Sequence, residues 1–332
     1  MIAAAAFTVV RPGILTTFQD LGRRDGERQG VPSGGAADQA SAAVANILVG
    51  NPRDAVCLEI LAGGLAFRAE APLLVSLTGA TASLRVDGGP ARPGEAVHVP
   101  AGATVEVGRA TSGMRCYVAI NGRIQCPRFM GSAAPEARMG FPQSLSAGQT
   151  VGVSTAYRGM GHPFDQPLFR LPVPHRDLGD PVWSVEIVEG PETQAVEGIR
   201  ELLAGSVYTV GPNSNHVGLR LAGPVRHPEG LGEIVSHGVP IGAFEIPHGD
   251  ELIVLGRYRT LTAGYPIVAF AATADLPLLG QAEPGRKLVF RWTDADASIE
   301  RLRAQEHELH LLEQRSAAAL ESLGVPLDAT HA

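Results

Sequence analysis

The chain has 332 residues, enough for two ordinary domains, and an apolar share of 45% excludes disorder as the main state. A formal charge of -7 and the lack of any basic run argue against nucleic acid as a partner. No apolar run reaches the length of a membrane span, and lysine chemistry could come only from Lys287, the single lysine.

The first ten residues are apolar, with no positive region before them. Arg11-Pro12-Gly13 then cuts the run off, so it reads as a first strand and not a signal peptide. Cys57, Cys116 and Cys126 are odd in number and form no close pair, which fits a reducing, cytoplasmic setting and no disulfide framework.

Residues 9–17 suit a strand with a turn at Pro12-Gly13. Gln19-Asp20-Leu21-Gly22-Arg23 follows, then the glycine-rich Gly30-Val31-Pro32-Ser33-Gly34-Gly35-Ala36-Ala37-Asp38. That loop has neither the Walker pattern nor dinucleotide-fingerprint spacing. A helix is expected over about residues 36–49, with Ala40, Val44, Ile47 and Leu48 on one face and Gly50-Asn51-Pro52 as its stop.

Residues 57–153 read as short strands at 73–77, 83–86, 96–99, 104–107 and 116–120, separated by Gly/Pro turns. Such spacing indicates a sandwich or barrel. The expected division is an N-terminal β domain over 1–156, a linker over 157–181, a second β domain over 182–293 and an amphipathic helix over 294–325. In the second domain, strands are expected at 182–188, 207–210, 218–221, 233–236, 244–246, 252–255, 267–271 and 288–292. A short helix over 196–203 should close on Gly205 as a left-handed cap.

On the tail helix, Ile299, Leu302, Leu309, Leu312, Ala319, Leu320 and Leu323 form a stripe that Gln305 and Ser316 interrupt. That helix packs either on its own domain or on a partner subunit.

His216, His227, His237 and His248 show no metal-ligand spacing, and His307 and His310 read as exposed on the tail helix; no metal site is expected. No Gly-x-Ser-x-Gly elbow is present, and Ser33 is only its nearest imitation.

The candidates are polar residues in loops. Gln19, Asp20 and Arg23 either bind substrate or tie the first strand to its loop. Asp38 is either a helix cap or a site carboxylate. Glu59, between apolar neighbours, needs a partner such as an arginine if it points inward. The densest set lies between residues 214 and 266: Asn215, His216, Arg220, His237, Glu245, Arg259, Thr262 and Tyr265. The fork of Arg259 suits an anionic group, and a buried Glu245 suits proton transfer.

These stretches resemble a known family. Arg11-Pro12-Gly13, Gln19-Asp20-Leu21-Gly22-Arg23, Gly30-Val31-Pro32, Gly50-Asn51-Pro52, Leu77-Thr78-Gly79-Ala80 and Asn121-Gly122 look like its N-terminal signature. Ser214-Asn215, Gly218, Arg220-Leu221, Gly242-Ala243, Ile246-Pro247, Arg259, Thr262 and Gly264-Tyr265-Pro266 look like the C-terminal one. The family is the biotin-dependent carboxyltransferase-like group, which includes the carboxyltransferase part of urea amidolyase, allophanate hydrolase subunit 2, KipA and the C component of bacterial 5-oxoprolinase.

The resemblance implies a mainly β chain with a few helices, two β-barrel-type domains of cyclophilin-like kind, and a KipI-like companion (akin to the B component of 5-oxoprolinase). It implies a small amide, lactam or urea-like substrate, with no tightly bound cofactor in this chain. ATP would serve the complex, or carboxybiotin would be delivered from elsewhere. Glu245, His237 and Arg259 are then the catalytic candidates, and Gln19, Asp20, Arg23, Asn215, His216, Arg220, Thr262 and Tyr265 the substrate-binding ones. The 5-oxoprolinase version is preferred because this sequence shows no biotinyl-carrier or biotin carboxylase domain; a KipA-type regulatory protein and a carboxyltransferase subunit are the alternatives. The family's Ser-Asn-Arg stands here as Ser214-Asn215-His216, its Ile-Gln-Val-Pro as Phe244-Glu245-Ile246-Pro247, and its acid before glycine as His237. Such exchanges alter which substrate the hydrogen bonds can satisfy.

Overall fold

The computed structural model describes residues 3–141, 144–159, 169–174, 177–227, 234–247, 251–325 and 327. They are mostly β, with four α-helices. The chain forms two compact units, one from Met1–Gly22, Asp38–Arg176 and His307–Ala332, the other from Arg23–Ala37 and Asp177–Glu306. These differ from the contiguous boundaries expected from the sequence in three places, one being that the expected linker 157–181 is divided at Arg176/Asp177, most of it within the first unit. The glycine-rich loop belongs to the second unit, and the tail helix is shared out between both.

In the first unit, alternating apolar residues build two sheets around one core. One runs Arg123–Ile124, Thr150–Thr155, Ala3–Pro12, Leu65–Ala69, Thr104–Val107, Leu84–Val86, Gly89–Ala91. The other runs Leu15–Gln19, Cys57–Leu61, Ser112–Ile120, Leu73–Thr81, Val97–Val99. Phe7, Phe67 and Val105 from the first sheet and Leu58, Val75 and Val118 from the second share one buried cluster, so the unit is a sandwich.

The helix Gln39–Leu48 is capped by Asp38, whose side chain accepts from the Ser41 backbone N–H at 2.9 Å. Glu59 finds its arginine: Arg115 lies 3.6 Å away, and Glu59 also accepts from the Tyr117 hydroxyl at 2.7 Å. Burial first, then the Glu59 charge, pushes the Tyr117 phenol well above its ordinary range.

The second unit is a closed seven-stranded barrel in the order Val182–Glu189, Ile267–Ala271, Ala243–Glu245, Leu252–Leu255, Gly218–Ala222, Tyr208–Val210, Lys287–Trp292. Closure comes from parallel pairing of Lys287–Trp292 with Val182–Glu189. A two-stranded ribbon, His237–Gly238 with Thr262–Ala263, is separate from the barrel sheet. The strand expected at 233–236 is not seen at 234–236, and its first residue lies outside the described residues. Gly205 is the last residue of the helix Ile199–Gly205, and the cap after it is an extended Ser206, not a left-handed glycine. The left-handed glycine, Gly198, stands at the start of that helix instead.

The tail helix, Ala295–Ser322, starts on an Asp294 side chain that accepts from the Ala297 N–H at 2.8 Å. Leu309, Leu312, Ser316 and Leu320 are its buried face, and Leu309 and Leu312 pack with Val44, Ile47 and Leu48. Ser316 therefore does not interrupt the packed face; it is part of it, donating to the Ile47 carbonyl at 2.7 Å. Ile299 is off that face and 46% exposed.

Candidate active site

The second unit gathers three of the sequence motifs on one short loop, residues 256–259. Asn215 folds its own turn, accepting from the Val217 N–H at 2.8 Å. That turn offers carbonyls to the loop: Gly256 N–H donates to Val217 O at 2.8 Å and Tyr258 N–H to His216 O at 3.2 Å. A Cβ on Gly256 would stand 2.8 Å from His216 O, so the close approach needs glycine there. From the other side comes the glycine-rich segment, whose Gly34 N–H donates to Arg257 O at 3.1 Å. Gly34, at φ 60°, lies against the Tyr258 ring, where a Cβ would come within 3.1 Å of it.

Arg259 is the centre of this arrangement. It is 4% exposed, and two of its nitrogens are engaged: Nε donates to Val239 O at 2.5 Å and Nη2 to Glu27 Oε1 at 3.0 Å. The third, Nη1, is buried with no hydrogen-bond partner. Val239 follows the ribbon strand His237–Gly238, and its N–H donates to Leu261 O at 2.9 Å, so the arginine reaches across the ribbon.

Glu245 lies on the barrel wall. Side chains alternate along a strand: Phe244 belongs to the barrel core, while Ala243 belongs to a second small cluster with Val239, Leu255 and Ile267. Glu245, two residues from Ala243, falls on that second face, where it pairs with Ile253 and Ile267. The register shift opposite Phe244 and Glu245 puts the extra residue, Val268, on the strand Ile267–Ala271, so the alternation that places Glu245 is kept on its own strand. Glu245 is 4% exposed and its Oε1 has no partner. Burial raises its pKa above the ordinary carboxylate value, and His237 beside it opposes the shift. His237 likewise has a buried Nε2 without a partner.

The other candidates are placed differently. Asn215, His216, Arg220 and Thr262 are exposed, and Tyr265 is half-buried. His216 meets the Tyr258 ring edge-on at 5.2 Å, and Arg220 pairs with Glu251 at 2.8 Å. Arg23 is fully buried, its N–H donating to Ser33 O at 2.7 Å.

Gln19 and Asp20 lie in the first unit. Asp20 accepts from Gly22 N–H at 2.8 Å, Ser132 Oγ at 2.6 Å and Ala133 N–H at 2.8 Å, which ties the chain after the second strand to the loop at 132–133. Among the described residues, no group of three or more His, Cys, Asp or Glu side chains is placed to hold a metal ion. His248 lies outside the described residues.

Sequence reasoning missed Glu27 and Val239. Glu27 stands among alternating charges in Arg24-Asp25-Gly26-Glu27-Arg28, and nothing in that pattern separates it from a solvated loop. Val239 acts through its backbone carbonyl, which no side-chain pattern can signal.

A closed barrel with this polar cluster beside it belongs to a carboxyltransferase-type fold: residues 29–292 match the family described as "Carboxyltransferase domain, subdomain A and B". The chain is a member of that family. It is 28% identical over 314 residues to the C component of Escherichia coli 5-oxoprolinase, covering 92% of this chain and 96% of that one. It is 27% identical to urea amidolyase of Lachancea kluyveri, over 86% of this chain but 17% of that protein. The crystal structure of Kluyveromyces lactis urea carboxylase superposes with a TM-score of 0.84 at 25% identity, over 94% of this chain and 29% of that one.

Proposed function

We propose that this chain is a subunit of a 5-oxoprolinase-type enzyme that acts on a small amide, lactam or urea-like compound together with a KipI-like companion. The observation that carries this reading is Arg259 Nη1, a buried cationic N–H without a partner in a site built from three motifs. A buried donor of that kind is costly to leave unpaired, and a ligand oxygen offsets the cost. In this reading Arg259 orients the substrate's carboxylate or carbonyl. Glu245, held towards its protonated form by burial, exchanges a proton with His237 or the substrate.

ATP supplies the driving force when bound by the complex, and this chain contributes substrate contacts. The alignment over nearly the whole E. coli protein supports this version over carboxyl transfer. The direct test is co-expression with the companion and measurement of ATP-dependent 5-oxoproline hydrolysis. Absence of turnover in a demonstrably folded complex refutes it.

A second reading, a biotin-dependent carboxyltransferase subunit, draws support from the likeness to Kluyveromyces lactis urea carboxylase. Here the same Arg259 N–H, which fits one anionic oxygen, would hold the carboxyl group that carboxybiotin supplies. Incorporation of labelled bicarbonate into urea, with a biotin carboxylase and carrier added, separates the two. The exposed positions of Asn215, Arg220 and Thr262 also leave room for a KipA-type binding protein, which would bind its partner with no turnover of either kind.

A further inference from the structure

Arg259 is fixed by two bonds from different nitrogens, and the second matters for a geometric reason. A planar guanidinium anchored only through its Nε–H can still rock about that single hydrogen bond. A second anchor on Nη2 fixes the plane, and with it the direction of Nη1. Val239 O supplies the first anchor and Glu27 Oε1 the second.

The chain around Glu27 is held in a fixed backbone conformation. Glu27–Gln29 is a single tight turn closed by a left-handed Gly30 at φ 78°, with Gly30 N–H donating to Glu27 O at 3.1 Å. Gln29 and Val31 both donate to Gly26 O at 2.9 Å, and a Cβ on Gly26 would stand 2.8 Å from Val31 O. Seven residues after Glu27, Gly34 is hydrogen-bonded to the residue two before Arg259. The same segment thus grips the arginine's loop at two points.

We infer that Glu27 is the positioning residue of this site: it fixes the Arg259 guanidinium so that Nη1 is aimed at one oxygen of the bound ligand. The inference rests on the reading that Arg259 binds substrate, and it adds a residue from the glycine-rich loop to the site. Glu27 is 43% exposed but Arg259 is 4% exposed, so Glu27→Ala takes a countercharge from a buried guanidinium, and Glu27→Gln, which keeps an acceptor for Nη2, separates positioning from lost stability.

The test uses the full chain with Glu27→Ala, Glu27→Gln and Arg259→Ala, and 5-oxoproline as the probe. Calorimetry should show binding lost in Arg259→Ala and weakened about tenfold in Glu27→Ala, the size of one hydrogen bond to a charged group. Glu27→Gln keeps an acceptor oxygen and should stay within about threefold of the parent. A crystal structure of Glu27→Ala should show the guanidinium turned away from its original plane. Unchanged affinity in Glu27→Ala, or an unmoved guanidinium, overturns the proposal. If the parent chain does not bind 5-oxoproline, the functional reading fails instead, and the crystal structure still decides whether Glu27 positions Arg259.

Discussion

Replacing Asp20 tests whether a residue that looks like a substrate ligand is committed to structure. Asp20 is 5% exposed, and both its oxygens are used: Oδ1 accepts from Gly22 N–H and Ser132 Oγ, Oδ2 from Ala133 N–H. Ser132 and Ala133 are fully buried, so their donors have no water to turn to. Hydrogen bonds to a charged acceptor contribute roughly 1.5–3 kcal/mol each, and three that share one acceptor are not additive. Asp20→Ala should therefore lower the stability of the first unit by about 3 kcal/mol. Asp20→Asn keeps the Oδ1 acceptor but sets an amide N–H against Ala133 N–H, so roughly half that loss is expected. Urea unfolding gives the total, and hydrogen exchange at residues 132–133 shows whether the loosening is local. A loss under about 1 kcal/mol in Asp20→Ala, with ligand binding abolished, would refute the structural assignment and return Asp20 to the substrate-binding set.

Other expectations follow from the same kind of reasoning. Burial holds the Glu245 pKa above its ordinary 4.5, so its contribution to stability is fully present below that value and is lost as pH rises through the raised one. Glu245→Gln cannot ionise; it should melt higher than the parent at neutral pH, with the gap closing on acidification, and a gap independent of pH would show that ionisation is not the cause. Arg301 donates to both oxygens of the fully buried Asp275, so Arg301→Ala takes the cation from a buried carboxylate that keeps the Glu186 N–H, and should cost about 3 kcal/mol in denaturant unfolding. Leu312→Ala opens a cavity against the helix Gln39–Leu48 and should cost about 2–5 kcal/mol, with faster exchange along residues 307–322.

Strands marked by alternation or by a short apolar run between turns were legible: 104–107 alternates, 252–255 and 267–271 are apolar throughout, and all three fall where the sequence puts them. Short strands such as Gly89–Ala91 and Arg123–Ile124 have too few residues to show a period, and they exist because a neighbour pairs with them. The Ser316 error has a plain cause. A hydroxyl counts as polar in any sequence pattern, yet a helix can bury it when a carbonyl such as that of Ile47 lies opposite. For the site, the cluster of polar residues between 214 and 266 pointed to Arg259, Glu245 and His237, whose buried unpartnered atoms distinguish them from the exposed Asn215 and Thr262. Glu27 stayed hidden because its partner lies 232 residues away in the chain.

The way the barrel closes bears on how it is made. Lys287–Trp292 pairs with Val182–Glu189 on one side and with Tyr208–Val210 on the other, so it fills the gap between two earlier strands. During synthesis those two strands emerge long before it, each with an open edge and an apolar face waiting. The barrel cannot become a barrel until its last strand has left the ribosome, and its slowest contacts span about a hundred residues of chain. A nascent chain stopped short of residue 287 would present two sticky edges to any passing strand, and that interval is where a chaperone has the most to protect.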